Sequence, residues 1–358
     1  MTDFSHEGFR AAPTIAERVH EAAKLFGRAT SGNHADRVKV NEAFSTPDFP
    51  ILLAKGFEYE TIQAEKDAVR EYEPILYPTT HPDFRPKKLR DLFGKTFFED
   101  VAEGEEYKAD TLDETEIEAG LGKTGRTFKL TWELRVNGDF TELADFPKRL
   151  GNAATETENR KVTDKLTTGT GWDQAFFGTV DDRPFNADTL DAVLKEQALK
   201  DDWRGDPIDT TNYVLVYSSG LRGQVLRILN ATELELSDTD TNGTKQSRTR
   251  VKVANPFKGL VTPLEVRDLG RGLGANRATG WALIPAKSSA LPALVLSSLA
   301  GHEQVDIRVK ADQGNRIGGG AIAIDEGSFL DDTIEFRGRK VIGVSKGFTD
   351  GVYASNGQ

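Results

Sequence analysis

The 358-residue chain contains no cysteine, one methionine and five histidines, and each shortage removes a class of function. Without cysteine there is no disulfide, no thiolate nucleophile, and no zinc-ribbon or iron–sulfur chemistry. His6, His20, His34, His81 and His302 are scattered, with no pair at helical spacing, so neither a metal cluster nor a histidine-based triad can be assembled from sequence. Long apolar runs are also missing. The longest, such as Ala290–Ala300, fall short of the roughly 18 residues that mark a bilayer-spanning helix, and no membrane partner is expected. The opening Met1-Thr2-Asp3-Phe4-Ser5-His6 has no basic or apolar leader character, so no signal peptide is expected. Positive charge is in deficit, with 46 Lys and Arg against 57 Asp and Glu, a net −11. Such a chain neutralises phosphates poorly, which argues against general nucleic-acid binding.

Three strings imitate known sites and fail on spacing. Gly122-Lys123-Thr124 resembles the end of a phosphate-binding loop, but the required earlier glycine is Ile117, so a turn is expected. Gly270-Arg271-Gly272-Leu273-Gly274 lacks the full dinucleotide spacing and reads as a mobile loop. Arg267, Arg271 and Arg277 beside it are candidates to meet acidic partners. Asp238-x-Asp240-x-Asn242-Gly243 begins like a calcium loop, yet position twelve is Thr249 rather than a bidentate Glu, which favours an Asx-rich hairpin turn. No cofactor, metal or catalytic residue is assigned.

What is present is organisation. At ~150 residues per domain the length suits about two domains. The first hundred residues are irregular. A helix is expected over Pro13–Phe26, then a proline-punctuated arm (Pro47, Pro50, Pro74, Pro78, Pro82) with one short helix near Thr61–Tyr72. Arg85, Lys87, Lys88, Arg90 and Lys95 then form a basic cluster. Glu99–Glu118 follows with ten acids against Lys108 alone. Gly120, Gly122 and Gly125 come next, and Phe128–Val136 alternates apolar and polar residues as a strand does. This arrangement predicts a projecting hairpin with its tip at the glycines, too poorly buried to be stable alone. A long helix is expected over Leu143–Leu166 with a thin apolar stripe, and a second over Asn186–Lys200, capped by Asn186 or Asp188. The second half is strand-rich. Val214–Tyr217 leads into a helix through Leu221, Val225 and Leu229, and a hairpin pairs Leu234/Leu236 with Val251/Val253. Further strands are expected at Trp281–Ile284, Asp306–Lys310, Ala321–Ile324, Thr333–Arg337 and Lys340–Val344. Leu291–Leu299 fits strand or loop equally, and no internal repeat is visible.

The run from Val101-Ala102-Glu103-Gly104-Glu105-Glu106-Tyr107-Lys108, through Phe128–Val136 and Asn137-Gly138-Asp139-Phe140, to Phe146-Pro147-Lys148-Arg149-Leu150-Gly151-Asn152-Ala153-Ala154 at the head of the long helix resembles the major capsid proteins of tailed bacteriophages. That family has the Hong Kong 97-type fold. The resemblance implies an α+β chain divided into an N-terminal arm (1–84), a peripheral-domain lead-in (85–102) and an E-loop hairpin (103–136). A peripheral domain with a long spine helix (137–205), a mainly axial domain (206–328) and C-terminal strands and tail (329–358) complete it. It further implies self-assembly as pentamers and hexamers into an icosahedral head enclosing double-stranded DNA without sequence-specific binding. Portal, scaffolding and decoration proteins are the implied partners, the virion is the implied location, and the host cytoplasm is the place of assembly.

On this reading Glu105, Glu106, Lys108, Asp113, Glu116, Lys123 and Arg126 of the hairpin meet neighbouring subunits, together with Arg85, Lys87, Lys88 and Arg90. Basic and acidic blocks would pair between copies, each rim pair contributing about 0–1 kcal/mol. Some relatives weld neighbours by a Lys–Asn isopeptide bond, for which Lys108 or Lys123 and Asn356 are residues of the right type, as a minor expectation. An encapsulin-like nanocompartment shell of the same fold is the nearest alternative, and a β-rich hydrolase with dispersed carboxylates is the alternative from another class.

Overall fold

The computed structural model describes residues 24, 25, 28, 39, 49–93, 113–133, 141–201, 207–208, 211–237, 250–289, 292–320, 322 and 327–358. Contacts divide the chain into two units. The first takes 1–69, 123–155 and 302–340, and the second takes 70–122, 156–301 and 341–358. The helix expected over Pro13–Phe26 and the strand expected over Ala321–Ile324 fall mainly outside the described residues.

In chain order the elements are α1 (Phe49–Asp67), β1 (Leu76–His81), β2 (Lys87–Phe93), β3 (Asp113–Ala119), β4 (Gly122–Leu130), α2 (Thr141–Leu166), β5 (Val180–Asp181), α3 (Ala187–Ala198), β6 (Tyr213–Ser218) and α4 (Arg222–Asn230). They continue with β7 (Glu233–Ser237), β8 (Arg250–Ala254), β9 (Val261–Val266), β10 (Trp281–Pro285), β11 (Leu294–Leu299), β12 (Asp306–Val309), β13 (Ile334–Lys346) and β14 (Tyr353–Ser355). The class is α+β, as the sequence predicts. Among the described residues no helix is long and apolar enough to cross a membrane.

The second unit is built on a sheet of order β5-β14-β10-β6-β9. All six residues of β6, Tyr-Val-Leu-Val-Tyr-Ser, are buried, because both faces of the sheet are covered. Period-two alternation sends Val214, Val216, Ala282, Ile284 and Ala354 into one core, with Val162 and Leu166 of α2. Tyr213, Leu215, Tyr217, Trp281, Leu283 and Tyr353 enter the other, covered by Leu190, Val193 and Leu194 of α3 and by Val225 and Leu229 of α4. The α3 helix starts where expected, with the Asn186 side chain accepting from Thr189 N. Pro263, which has no amide proton, is tolerated because β9 lies at the sheet edge. In the same unit β1 runs parallel to β11, and β11 pairs antiparallel with 342–346 of β13.

In the first unit, α1 lies against the N-terminal half of α2. A Cβ on Gly151 would sit 2.5 Å from the Thr61 carbonyl, so only glycine permits this approach. Phe57 meets Phe146 and Phe336 edge-on, at 6.4 and 5.8 Å between ring centroids. Residues 306–309 of β12 pair with 336–339 of β13, and β4 also pairs β13. Glu65 and Lys340 form an ion pair at 2.7 Å with side chains only 4% and 6% exposed, and Glu65 Oε2 accepts from Val305 N.

Several expectations are corrected. The short helix near Thr61–Tyr72 is α1, which begins at Phe49; Pro50 is accepted because the first helical turn needs no amide donor there. β1 arises in the segment read as a broken arm. The strands expected at 333–337 and 340–344 are one 13-residue strand. The strand expected over 128–136 lies earlier, at 122–130, and Gly122-Lys123-Thr124 opens it rather than forming a turn. The expected mobile loop at 270–274 is a helical turn followed by a 3-10 turn, with Leu269, Gly272 and Leu273 buried. The long helix ends at Leu166 as predicted but begins at Thr141, two residues early, and runs 26 residues, about 39 Å. Its buried stripe is more polar than the pattern suggested, because Thr155, Glu158, Asn159 and Thr163 share it with Leu150, Val162 and Leu166.

Candidate assembly surfaces

The basic and acidic blocks become adjacent strands of one hairpin. β2 and β3 pair antiparallel as a two-stranded sheet, with Lys88 opposite Glu118, Arg90 opposite Glu116, Leu92 opposite Glu114 and Phe93 opposite Asp113. The two blocks are therefore neighbours in one backbone ladder within the subunit. The hairpin also departs from the predicted one. Its arms are 87–93 and 113–119, so its turn falls within 94–112, outside the described residues, and Gly120–Gly125 is not its tip. A Cβ on Gly343 would lie 1.8 Å from the Gly120 carbonyl oxygen, so this segment is pressed against β13. Gly120 N also donates to Ser345 Oγ at 3.2 Å.

The candidate residues consequently scatter. Arg85 precedes β2; its backbone N donates to Asp83 Oδ1 at 2.9 Å and its side chain is 91% exposed. Lys87 Nζ donates to Thr79 Oγ1 at 3.3 Å and to the Thr80 carbonyl at 3.5 Å, both uncharged. Lys88, Arg90, Asp113 and Glu116 are ladder positions. Lys123 and Arg126 belong to β4, where Thr124 Oγ1 donates to the Lys340 carbonyl, not to the hairpin. Glu105, Glu106 and Lys108 lie outside the described residues, as does the Asp238–Gly243 turn.

Two of the three arginines offered to acidic partners are engaged within the subunit. Arg267 Nε donates to Glu71 at 2.9 Å, and Arg271 donates to Asp164 at 2.9 Å and to Asp268 at 3.0 Å. Asn356 holds its amide between two neighbours, accepting from Asn276 Nδ2 and donating to Asp182 Oδ1, each at 2.9 Å.

One polar network escaped sequence reading. Arg183 forks onto both Glu196 oxygens at 2.9 and 2.8 Å and also pairs with Asp181, which accepts from Tyr353 Oη at 3.1 Å. Burial acts to raise the Asp181 pKa, but hydrogen bonds from Asp182 N, Arg183 and Tyr353 outweigh it and hold the carboxyl below its ordinary range. Burial pushes the Tyr353 hydroxyl up to about 12. The Glu196 pKa is lowered chiefly by the Arg183 hydrogen bond. Only the residue types were visible in sequence, since Asp181 and Tyr353 are far apart along the chain. The network joins β5, α3 and β14 and serves packing. Among the described residues no group of three or more His, Asp or Glu could hold a metal ion.

Comparison with known proteins follows from this geometry. No curated protein matches the chain. Among solved structures, the bacteriophage PhiM1 mature capsid aligns at 11% identity and TM-score 0.46, covering 80% of this chain and 86% of the other. Mycobacterium phage Patience aligns at 13% identity and TM-score 0.46, covering 85% and 86%. The head of Helicobacter pylori bacteriophage KHP40 aligns at 11% identity and TM-score 0.45, covering 80% and 88%. The family described as phage capsid protein matches residues 114–355, well over half the sequence, from β3 through the long helix to β14. The chain belongs to the phage capsid protein family.

Proposed function

We propose that the chain is the major capsid protein of a tailed double-stranded DNA phage and builds the head shell by self-association as pentamers and hexamers. The observation that carries this reading is the family match over 114–355. The architecture supports it physically. The β2–β3 hairpin has two strands and no third among the described residues, whereas a free-standing sheet needs more. Neighbouring copies supply the missing cover. The subunit works by shape and contact, without a catalytic centre. Its net charge of −11 suits a wall that surrounds DNA without adhering to it. The N-terminal arm, peripheral and axial divisions, the virion location and the portal, scaffolding and decoration partners belong to this proposal. The E-loop is assigned here to the hairpin from Lys87 to Ala119.

Negative-stain microscopy of the purified protein tests the reading. Hollow shells or capsomers are the expected result, and monomers at high concentration would overturn it. DNA inside particles from infected cells separates a phage head from a cargo-holding compartment.

A further inference from the structure

The sequence holds three Asn–Gly steps, at 137–138, 242–243 and 356–357, and the last lies among the described residues. Asn–Gly is the dipeptide most open to attack on a side-chain amide, because glycine leaves its own nitrogen unhindered and its backbone free to turn. The fold demands both residues at 356–357. Gly357 has φ +68°, and a Cβ there would lie 2.2 Å from the Thr279 carbonyl oxygen, which bars a larger residue. Asn356 must both accept and donate, because three amides form a relay. Gln358 Nε2 donates to Asn276 Oδ1 at 2.7 Å, Asn276 Nδ2 donates to Asn356 Oδ1 at 2.9 Å, and Asn356 Nδ2 donates to Asp182 Oδ1 at 2.9 Å. An aspartate in the middle of this relay would still accept from Asn276, but it would meet Asp182 with a second carboxylate.

The same contacts protect the labile step. Asn356 N donates to the Asp181 carbonyl at 2.7 Å, and the Asn356 carbonyl accepts from Thr279 Oγ1 at 2.6 Å. Gly357 N donates to Ser355 Oγ at 3.1 Å, so the nitrogen that would attack is itself engaged. Ring closure requires the Asn356 side chain to leave Asn276 and Asp182 and the Gly357 nitrogen to leave Ser355. None of these happens while residues 355–358 stay seated on the turn at 276–279.

We propose that Asn356–Gly357 is a latent deamidation site and a one-way release for residues 355–358. When the segment opens, the Gly357 nitrogen gives up its proton to solvent and bonds to Asn356 Cγ. The Cγ–Nδ2 bond breaks, and ammonia leaves with a proton taken from water. Water then opens the succinimide at either carbonyl, giving aspartate or isoaspartate. One water is consumed and one ammonia released, with no oxidant or reductant. The new carboxylate faces Asp182, so a hydrogen bond is replaced by like charges. Isoaspartate also lengthens the backbone by a methylene. In either form the segment does not reseat as before. Every contact involved lies within one subunit, so the inference stands apart from the capsid reading.

Trypsin releases residues 347–358, which hold no other asparagine, so mass spectrometry of that peptide follows this site alone. The folded full chain at neutral pH is expected to deamidate there on the order of 100-fold more slowly than the same chain in urea, since reaction waits on local opening. Equal rates in the two states would overturn the protection, and no reaction in urea would overturn the site itself. Hydrogen exchange then measures the release. Asn356→Asp should speed exchange of the backbone amides of 355–358 by about tenfold while leaving the β6 sheet unchanged. Adding Asp182→Asn turns the donor round and should restore most of the protection. Unchanged exchange in the single variant, or no recovery in the double one, would overturn release by like charge.

Discussion

The β6-centred sheet and the β2–β3 hairpin are made of the same kind of element by opposite means. β6 reads Tyr-Val-Leu-Val-Tyr-Ser, every residue buried between two cores. The hairpin arms read Lys-Lys-Leu-Arg-Asp-Leu-Phe and Asp-Glu-Thr-Glu-Ile-Glu-Ala, and they are joined by backbone pairing in two strands. At about 25 cal/mol per Å² of apolar surface, the buried side chains of the first region make a large contribution to the stability of the subunit. The lesson is a division of labour. Residues buried in the β6 sheet and the residues proposed to join subunits occupy different strands, so they can be altered separately.

That separation can be broken most forcefully at Trp281. Its ring is fully buried, meets Phe185 at 5.3 Å and Tyr353 at 5.2 Å, and donates from Nε1 to the Arg183 carbonyl. Trp281→Ala should cost about 3–5 kcal/mol, read as a lower urea midpoint at unchanged slope. A shift as small as a surface substitution gives would refute the assignment of stability to this sheet. The buried Glu65–Lys340 pair comes next. Lys340→Met alone strands a carboxylate and should cost about 3–5 kcal/mol, whereas adding Glu65→Leu should restore most of the loss. Additive costs in the double variant would show that the two groups do not act as a pair.

Acid probes the same region with a defined sign. The Asp181 carboxyl is held below its ordinary pKa in the folded state, so its contribution is present above the unfolded value of 3.8 and lost as pH falls through the folded one. Asp181→Asn should therefore lower the melting temperature at pH 7 and flatten its decline toward pH 3. A decline as steep as wild type would assign the acid sensitivity elsewhere. The hairpin should respond least. Lys88→Glu places like charges opposite each other and should cost about 0.2–1 kcal/mol. Replacing Leu89–Ile117 by a short Gly-Ser turn between the facing residues Lys88 and Glu118 should leave melting unchanged yet abolish shells in the microscope. Normal shells from that variant would end the hairpin's assembly role. The excision must stop before Gly120, because β4 is part of the β13 sheet.

How far the fold was legible depended on whether its cause was local. The long helix, the Asn186 cap, β6, β10, β12 and the β7–β8 hairpin are written in periodicity and capping chemistry. β4 begins six residues before the strand expected from sequence, because Gly-Lys-Thr-Gly-Arg-Thr has no apolar alternation. It is a strand only because β13, about two hundred residues away in sequence, lies alongside. β1 was hidden by Pro78, which an edge strand accepts. The hairpin was mispaired because the glycines resemble a tip, and the acidic run was joined to the strand after it instead of the basic strand before it. Of the candidate residues, Lys87 and Lys88 lie on the first strand of the hairpin and Lys123 and Arg126 on β4, outside it.

The place of β14 sets a clock. It lies between β5 and β10, the neighbour that joins them in the sheet, and it is translated after both. A nascent chain already holding β6, β9 and β10 still has an open sheet until Tyr353–Ser355 leaves the ribosome. Pairings so distant in sequence also fold slowly, because long loops must close before they are rewarded. The sheet thus closes only when β14 arrives, long after the strands on its far side have been made.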